Sequence, residues 1–266
     1  MTKVLIIGCG YVGKAVANFL NSKNIPVSVT TRNEKNAKDL SQYAKEVHLI
    51  KSPEDITSLI PLYDTIIFSV AAENRSCYKE AYFDNAVAIV KALKNESNTK
   101  QLIYTSTTSV YGDYNGEWVN EDDALLGETE QAKILINTEE ELMQATSFGH
   151  NVCILRLGQI IGPGREVEKR LERMSNHLLP GDGTNCINLS PLGDIVAGIY
   201  LASKKHLSGT FNLCSDLHIP RKQYYDEICE KFRIPKVKWD PSQTSIHGGN
   251  KKVSCQKIKN AGLSLN

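Results

Sequence analysis

Apolar and polar positions follow two distinct periods along this chain. "KVLIIG" (3–8), "PVSVTTR" (26–32), "EVHLI" (46–50), "DTIIFSVAA" (64–72), "KQLIYTST" (100–107) and "NVCILRLG" (151–158) are short runs rich in Val, Ile and Leu. Such runs are the pattern of strands buried on both faces. Between them, apolar residues recur every three or four positions. "YVGKAVANFLNSK" (11–23) gathers Val12, Ala15, Val16, Phe19 and Leu20 on one helical stripe. The spacing predicts further helices over 33–43 (capped by Asn33), 78–95 and 129–147. Strands alternating with helices of this length imply a Rossmann-type α/β fold with a doubly wound parallel sheet. After "GPG" (162–164) the rhythm breaks into a charged helix over 165–176, turns, a short strand, an amphipathic helix ending near 205, a strand over 209–214 and a helix over 221–232. The expected organisation is a main domain over 1–160 and a small α+β annex over 161–266.

Composition narrows the class. With 31 basic against 30 acidic residues, the formal net charge is +1, which gives no electrostatic reason to expect a nucleic-acid or membrane partner. Seven scattered cysteines without a C-x-x-C pair predict neither a disulfide framework nor a zinc site. The apolar start is too short for a signal peptide's core, and no apolar run approaches the roughly 18 residues of a membrane span. A reduced, cytoplasmic protein acting on a small molecule is the expectation.

Gly8, Gly10 and Gly13 form G-x-G-x-x-G directly after the first strand and at the opening of the first helix. Glycine serves the tight turn at the first position, close approach of backbone to a pyrophosphate at the second, and helix–sheet packing at the third. The loop therefore predicts a dinucleotide site. Its type is read at the end of the second strand, where an NAD site usually places an acidic residue. Here stand Thr30, Thr31, Arg32 and Asn33. An arginine fork suits a ribose 2′-phosphate, so NADP is expected, with NAD left open.

Several stretches resemble one family over nearly the whole chain: "VLIIGCGYVG", "SVAA", "NAVAIVKAL", "LIYTSTTSVYGD", "ILRLGQIIGPGR", "LSPLGDIVAGI" and "GTFNLCSD". The chain resembles atypical and extended members of the short-chain dehydrogenase/reductase superfamily, the NAD-dependent epimerase/dehydratase-like group. The resemblance implies a cofactor site over Gly8, Gly10, Tyr11, Val12, Gly13, Thr31, Arg32, Val70, Ala71, Ala72, Thr105, Lys133 and Leu157. It also implies that Thr107, four residues before Tyr111 of "VYG", binds the substrate oxygen. Asn85 matches an asparagine that braces strand backbone, and Asp194 matches a structural acid. In many such relatives the helices corresponding to 78–95 and 129–147 pair into homodimers.

One departure bears on catalysis. The superfamily uses Tyr-x-x-x-Lys, with the lysine on the nicotinamide ribose and the tyrosine as general acid/base. Lys133 fits the lysine, whereas Thr129 stands where the tyrosine belongs, one helical turn before it. A phenol near pKa 10 can be tuned by neighbouring positive charge, but an aliphatic hydroxyl cannot. Tyr104, Tyr111, Tyr114, or a water between Thr107 and Thr129, are the substitutes considered. The loop acids between Gly112 and Gly127, the arginines at 165, 170 and 173 and the six histidines are expected to be mainly structural or solvated, whereas Trp118 is a candidate wall for a substrate's apolar face or an anchor of its loop. Two functions follow: an NADP(H)-dependent oxidoreductase or epimerase/dehydratase-like enzyme acting on a small carbonyl, hydroxyl or nucleotide-sugar substrate, or a cofactor-binding redox sensor or scaffold with little catalysis. Thr107 and Lys133 favour the first and Thr129 the second.

Overall fold

In the computed structural model, residues 2–174, 177–243 and 249–265 are described. His247, expected to be a surface or packing residue, lies outside them. Five strands and five helices build the first part of the chain: β1 (Val4–Ile7), α1 (Tyr11–Ser22), β2 (Val27–Thr31), α2 (Glu34–Leu40), β3 (Glu46–Leu49), α3 (Pro53–Thr57), β4 (Thr65–Phe68), α4 (Asn85–Leu93), β5 (Gln101–Thr107) and α5 (Glu130–Met143). With strands Asn151–Leu157 and Gly209–Leu213 they form a seven-stranded sheet in the order 209–213, 151–157, β5, β4, β1, β2, β3. The pairs β1–β2, β1–β4, β2–β3 and β4–β5 are parallel, with Val4 opposite both Val27 and Thr65. The predicted doubly wound architecture is present, and its strand order reverses between β1 and β4.

Local sequence accounts for most of these elements. All four residues of β1 are at most 2% exposed, as a strand covered on both faces requires. Helix α1 buries Val12, Val16, Ala17 and Leu20. Asn33 caps α2 by accepting a 2.9 Å bond from the Lys35 N–H. The short segment around Pro53, between the third and fourth strands, folds into α3, because Ser52 and Asp55 form a capping box and Pro53 takes the first turn. The helix predicted over 78–95 opens instead as a π-helical turn, Glu80–Asp84, before becoming α4. The helix predicted over 129–147 ends at Met143 and continues as a 3₁₀ segment, Gln144–Phe148.

The chain divides into two compact units, each assembled from three segments, so no single cut at 160/161 separates them. The first comprises residues 1–106, 129–156 and 195–211; the second comprises 107–128, 157–194 and 212–266. In the first unit, Leu5, Ile7, Ile56, Ile66, Phe68, Ile89, Leu93, Leu102, Tyr104 and Leu142 pack into one core between sheet and helices. Each buried aliphatic or aromatic side chain of this size contributes about 1.5–3 kcal/mol. The second unit packs Val167, Leu171, Leu179, Tyr225, Cys229, Ile234 and Val237 around helices Val167–Met174 and Arg221–Phe232.

Candidate functional site

In the first unit the glycine loop stands at the carboxyl end of β1, beside the exit of β4, where the strand order reverses and α/β proteins bind ligands. Gly8 has φ +91°, and a Cβ there would lie 2.5 Å from the Ser69 carbonyl oxygen and 2.7 Å from Val70 Cα. A Cβ on Gly13 would lie 2.6 Å from the Gly8 carbonyl oxygen, so only glycine lets α1 come this close to the loop. Gly10 differs from both: nothing lies within 4 Å of its would-be Cβ. It is also the N-cap of α1, with no side chain capping the helix. The first amides of α1, which no side chain at Gly10 caps, carry the positive end of the helix dipole. This cradle fits a pyrophosphate.

The surrounding bonds hold the crevice. The Ser69 N–H donates to the Ile7 carbonyl at 2.8 Å, and the Thr105 hydroxyl donates to Ser69 Oγ at 3.1 Å. Tyr11 and Val70 are half-buried, Val12 is buried, and Ala71 is exposed beside half-buried Ala72. At the end of β2, Thr31 Oγ1 accepts from the Asn33 N–H at 3.2 Å. Arg32 is not a bare cation: its Nη2 lies 3.0 Å from Oε1 of Glu80, in the π-helical turn.

Thr129 stands outside α5 rather than on its face. It is the N-cap, with extended backbone (φ −64°, ψ 150°), and its hydroxyl accepts the Ala132 N–H at 3.1 Å. The expectation that Thr129 and Lys133 stack one turn apart is corrected: a capping residue has non-helical backbone, and this one's oxygen is committed to the helix end. Lys133 is exposed, on the same side of α5 as exposed Asn137 and Glu140, while Ala132, Leu135, Thr138, Glu139 and Leu142 are buried.

The phenols weighed as substitutes are also committed. Tyr104 is fully buried and stacks on Phe68 with ring centroids 5.1 Å apart; burial, then the nearby Glu139 charge, hold its pKa well above the ordinary value. Tyr111 is fully buried and donates to Asn212 Oδ1 at 2.8 Å. Tyr114 donates to the Ala124 carbonyl at 2.7 Å.

Thr107 and Leu157 belong to the second unit. The Thr107 oxygen accepts the Ser109 N–H at 3.2 Å, capping the 3₁₀ turn Thr108–Tyr111. Leu157 is 3% exposed. The loop acids organise backbone: Asp113 accepts from the N–H groups of Asn115 and Asn250, and Glu121 from that of Asn212. Trp118 is 56% exposed, its ring edge-on to His218 at 4.8 Å. Arg170, expected to be solvated, donates to the Tyr225 hydroxyl at 2.6 Å. Asp194 is buried, and Asn85 donates to the Ala81 carbonyl at 3.0 Å. Among the described residues, no group of three or more His, Cys, Asp or Glu side chains could hold a metal ion, and no helix is long and apolar enough to cross a membrane.

Three features escaped the sequence. Glu80 pairs with Arg32 across 48 positions. A buried cluster joins Glu139 of α5, Arg156 and Ser106, and its signal was a charge on a helix face that also carries Leu135 and Leu142. Lys251, in the second unit, is buried and donates to the Gly112 carbonyl at 2.6 Å, and burial lowers its pKa to about 8.

Comparison with known proteins agrees with this geometry. The model of the NAD dependent epimerase/dehydratase family matches residues 4–214. The protein YeeZ of Escherichia coli K12 is 28% identical over 262 residues, covering 95% of this chain and 91% of that protein. A UDP-glucuronic acid 4-epimerase from Bacillus cereus, solved with UDP-glucuronic acid and NAD, superposes with a TM-score of 0.82 at 17% identity, covering 99% of this chain and 94% of the other. A dTDP-glucose 4,6-dehydratase from Bacillus anthracis, solved with NAD, gives 0.78 at 16% identity, covering 98% and 90%.

Proposed function

The chain belongs to the NAD dependent epimerase/dehydratase family, and from that premise we propose that it binds a nicotinamide dinucleotide at the β1–β4 crevice and acts as an enzyme on a small hydroxyl or carbonyl substrate. The observation that carries the proposal is the N-terminus of α1, where no side chain caps the helix and open space surrounds the Gly10 Cβ position, framed by two glycines that no other residue could replace without a clash. Gly10 and the first amides of α1 would hold the pyrophosphate, and Arg32 with Glu80 would meet the adenosine ribose. When bound, the nicotinamide supplies hydride acceptance or donation. Thr107 offers its hydroxyl to a substrate oxygen. Lys133 reaches the nicotinamide ribose from the exposed side of α5. A nucleotide sugar is the substrate class the solved relatives suggest, since the Bacillus cereus epimerase holds one.

A second reading, a cofactor-binding sensor or scaffold, draws on the commitment of Thr129, Tyr104, Tyr111 and Tyr114 to structural bonds or the core. The two are separated by cofactor turnover with a panel of nucleotide sugars and simple carbonyls, comparing wild type with Lys133→Ala. Lys133-dependent turnover supports the enzyme. Tight cofactor binding without turnover on any of them supports the sensor.

A further inference from the structure

The acidic residue that an NAD site usually carries at the end of β2 is absent, and the end of β3 reads Ile50-Lys51-Ser52. A carboxylate nevertheless reaches this region from a third place. Glu80 opens the π-helical turn ahead of α4, and its Oε1 lies 3.0 Å from Arg32 Nη2, with the two side chains 46% and 38% exposed. Glu80 also lines a groove of about 630 Å³ together with Lys51, Ser52 and Pro53, which follow the end of β3. The turn that carries it is anchored. Ala81 is buried, its N–H donates to the Cys77 carbonyl at 2.9 Å, and the rings of Tyr78 and Tyr82 pack with centroids 4.6 Å apart. π-Turns of this kind recur at functional sites, because the extra residue re-aims the side chains around it.

We propose that Glu80 is the residue that sets the choice between NAD and NADP, acting through its pairing with Arg32; the inference rests on the dinucleotide reading of the β1–β4 crevice. A carboxylate held by a guanidinium accepts hydrogen bonds from vicinal ribose hydroxyls. A 2′-phosphate would meet that carboxylate's negative charge, and could engage Arg32 only by displacing Glu80. An ion pair as exposed as this one is weak, so Arg32 is available once Glu80 is neutralised. The arginine that alone reads as an NADP marker is therefore balanced by an acid from another element. Removing the acid tips the balance toward the phosphorylated cofactor, and removing the arginine tips it away.

The test is calorimetric titration of NADH and NADPH into wild type, Glu80→Gln, Glu80→Lys and Arg32→Ala, with thermal melting to confirm that each variant is folded. Glu80→Gln is expected to shift the affinity ratio about tenfold toward NADPH relative to wild type. Glu80→Lys should shift it further, and Arg32→Ala in the opposite direction. If wild type binds a cofactor yet both Glu80 variants leave the ratio within about twofold, Glu80 is not the selector and the proposal falls while the dinucleotide reading stands. If wild type binds neither cofactor, both fall together.

Discussion

Glu139 and Arg156 offer the sharpest stability test, because both are almost wholly buried and carry opposite charges. Glu139 is 3% exposed and Arg156 5%. Arg156 Nη2 lies 2.6 Å from Oε2, its Nε lies 3.2 and 3.1 Å from the two carboxylate oxygens, and the Ser106 hydroxyl donates to Oε1 at 2.5 Å. The cluster ties α5 to β5 and to the strand Asn151–Leu157. Glu139→Gln keeps the shape and an acceptor for Ser106 but leaves a guanidinium buried without its counter-charge. Breaking one side of a buried pair costs about 3–5 kcal/mol. For a chain of this length, each kcal/mol moves the melting temperature by about 2–4 °C, so a fall of roughly 6–20 °C is expected. Arg156→Met should cost as much, while Glu139→Leu with Arg156→Met should recover much of the loss, because apolar replacement of both partners removes the desolvation cost. Thermal and urea unfolding of these variants and of Glu139→Leu alone, followed by circular dichroism, give the four values. A loss below about 1 kcal/mol for Glu139→Gln, or a double variant as unstable as the sum of its singles, would refute the reasoning.

Two further outcomes follow from caps and burial. Thr129→Tyr removes the acceptor of the Ala132 N–H, so it should lower stability by about 1 kcal/mol, whereas Thr129→Ser should not; neither should raise turnover, and a gain with tyrosine would show that its phenol reaches the substrate. Lys251 titrates near pH 8 in the folded protein against 10.5 as its ordinary value, burial outweighing the nearby Asp113 charge. The unfolded chain then holds more protons between those values, so the penalty is full below about pH 8 and fades toward 10.5. Relative to Lys251→Met, wild type should gain up to about 3 kcal/mol across that window, read by urea unfolding at pH 7.5 and 10; a difference that does not change with pH would contradict it.

How much of this was legible in the sequence depends on the range of the interaction. β1, its glycine loop and α1 could be read because continuous apolar runs, glycine spacing and helical stripes are local. The Asn33 cap was equally local. Thr129 carried the same kind of signal, a capping threonine ahead of Glu130 in the first turn, but the Tyr-x-x-x-Lys spacing of the resembled superfamily drew it into the helix. The π-helical turn has no local pattern to announce it, since Glu80–Asp84 sits inside one helical stripe. Arg32 with Glu80 and Glu139 with Arg156 meet only through the fold, so their partners could not be assigned from spacing.

The central claim is that the glycine-framed N-terminus of α1 holds a dinucleotide, and titrating NADH and NADPH into wild type and Gly10→Ala tests it most directly. A Cβ at Gly10 meets nothing within 4 Å, so the variant should melt within a few degrees of wild type. Its methyl would stand where the pyrophosphate approaches, so binding should weaken at least tenfold. Measurable binding by wild type that Gly10→Ala loses without loss of stability is the predicted result. No binding by wild type, or equal binding by both, would contradict the account.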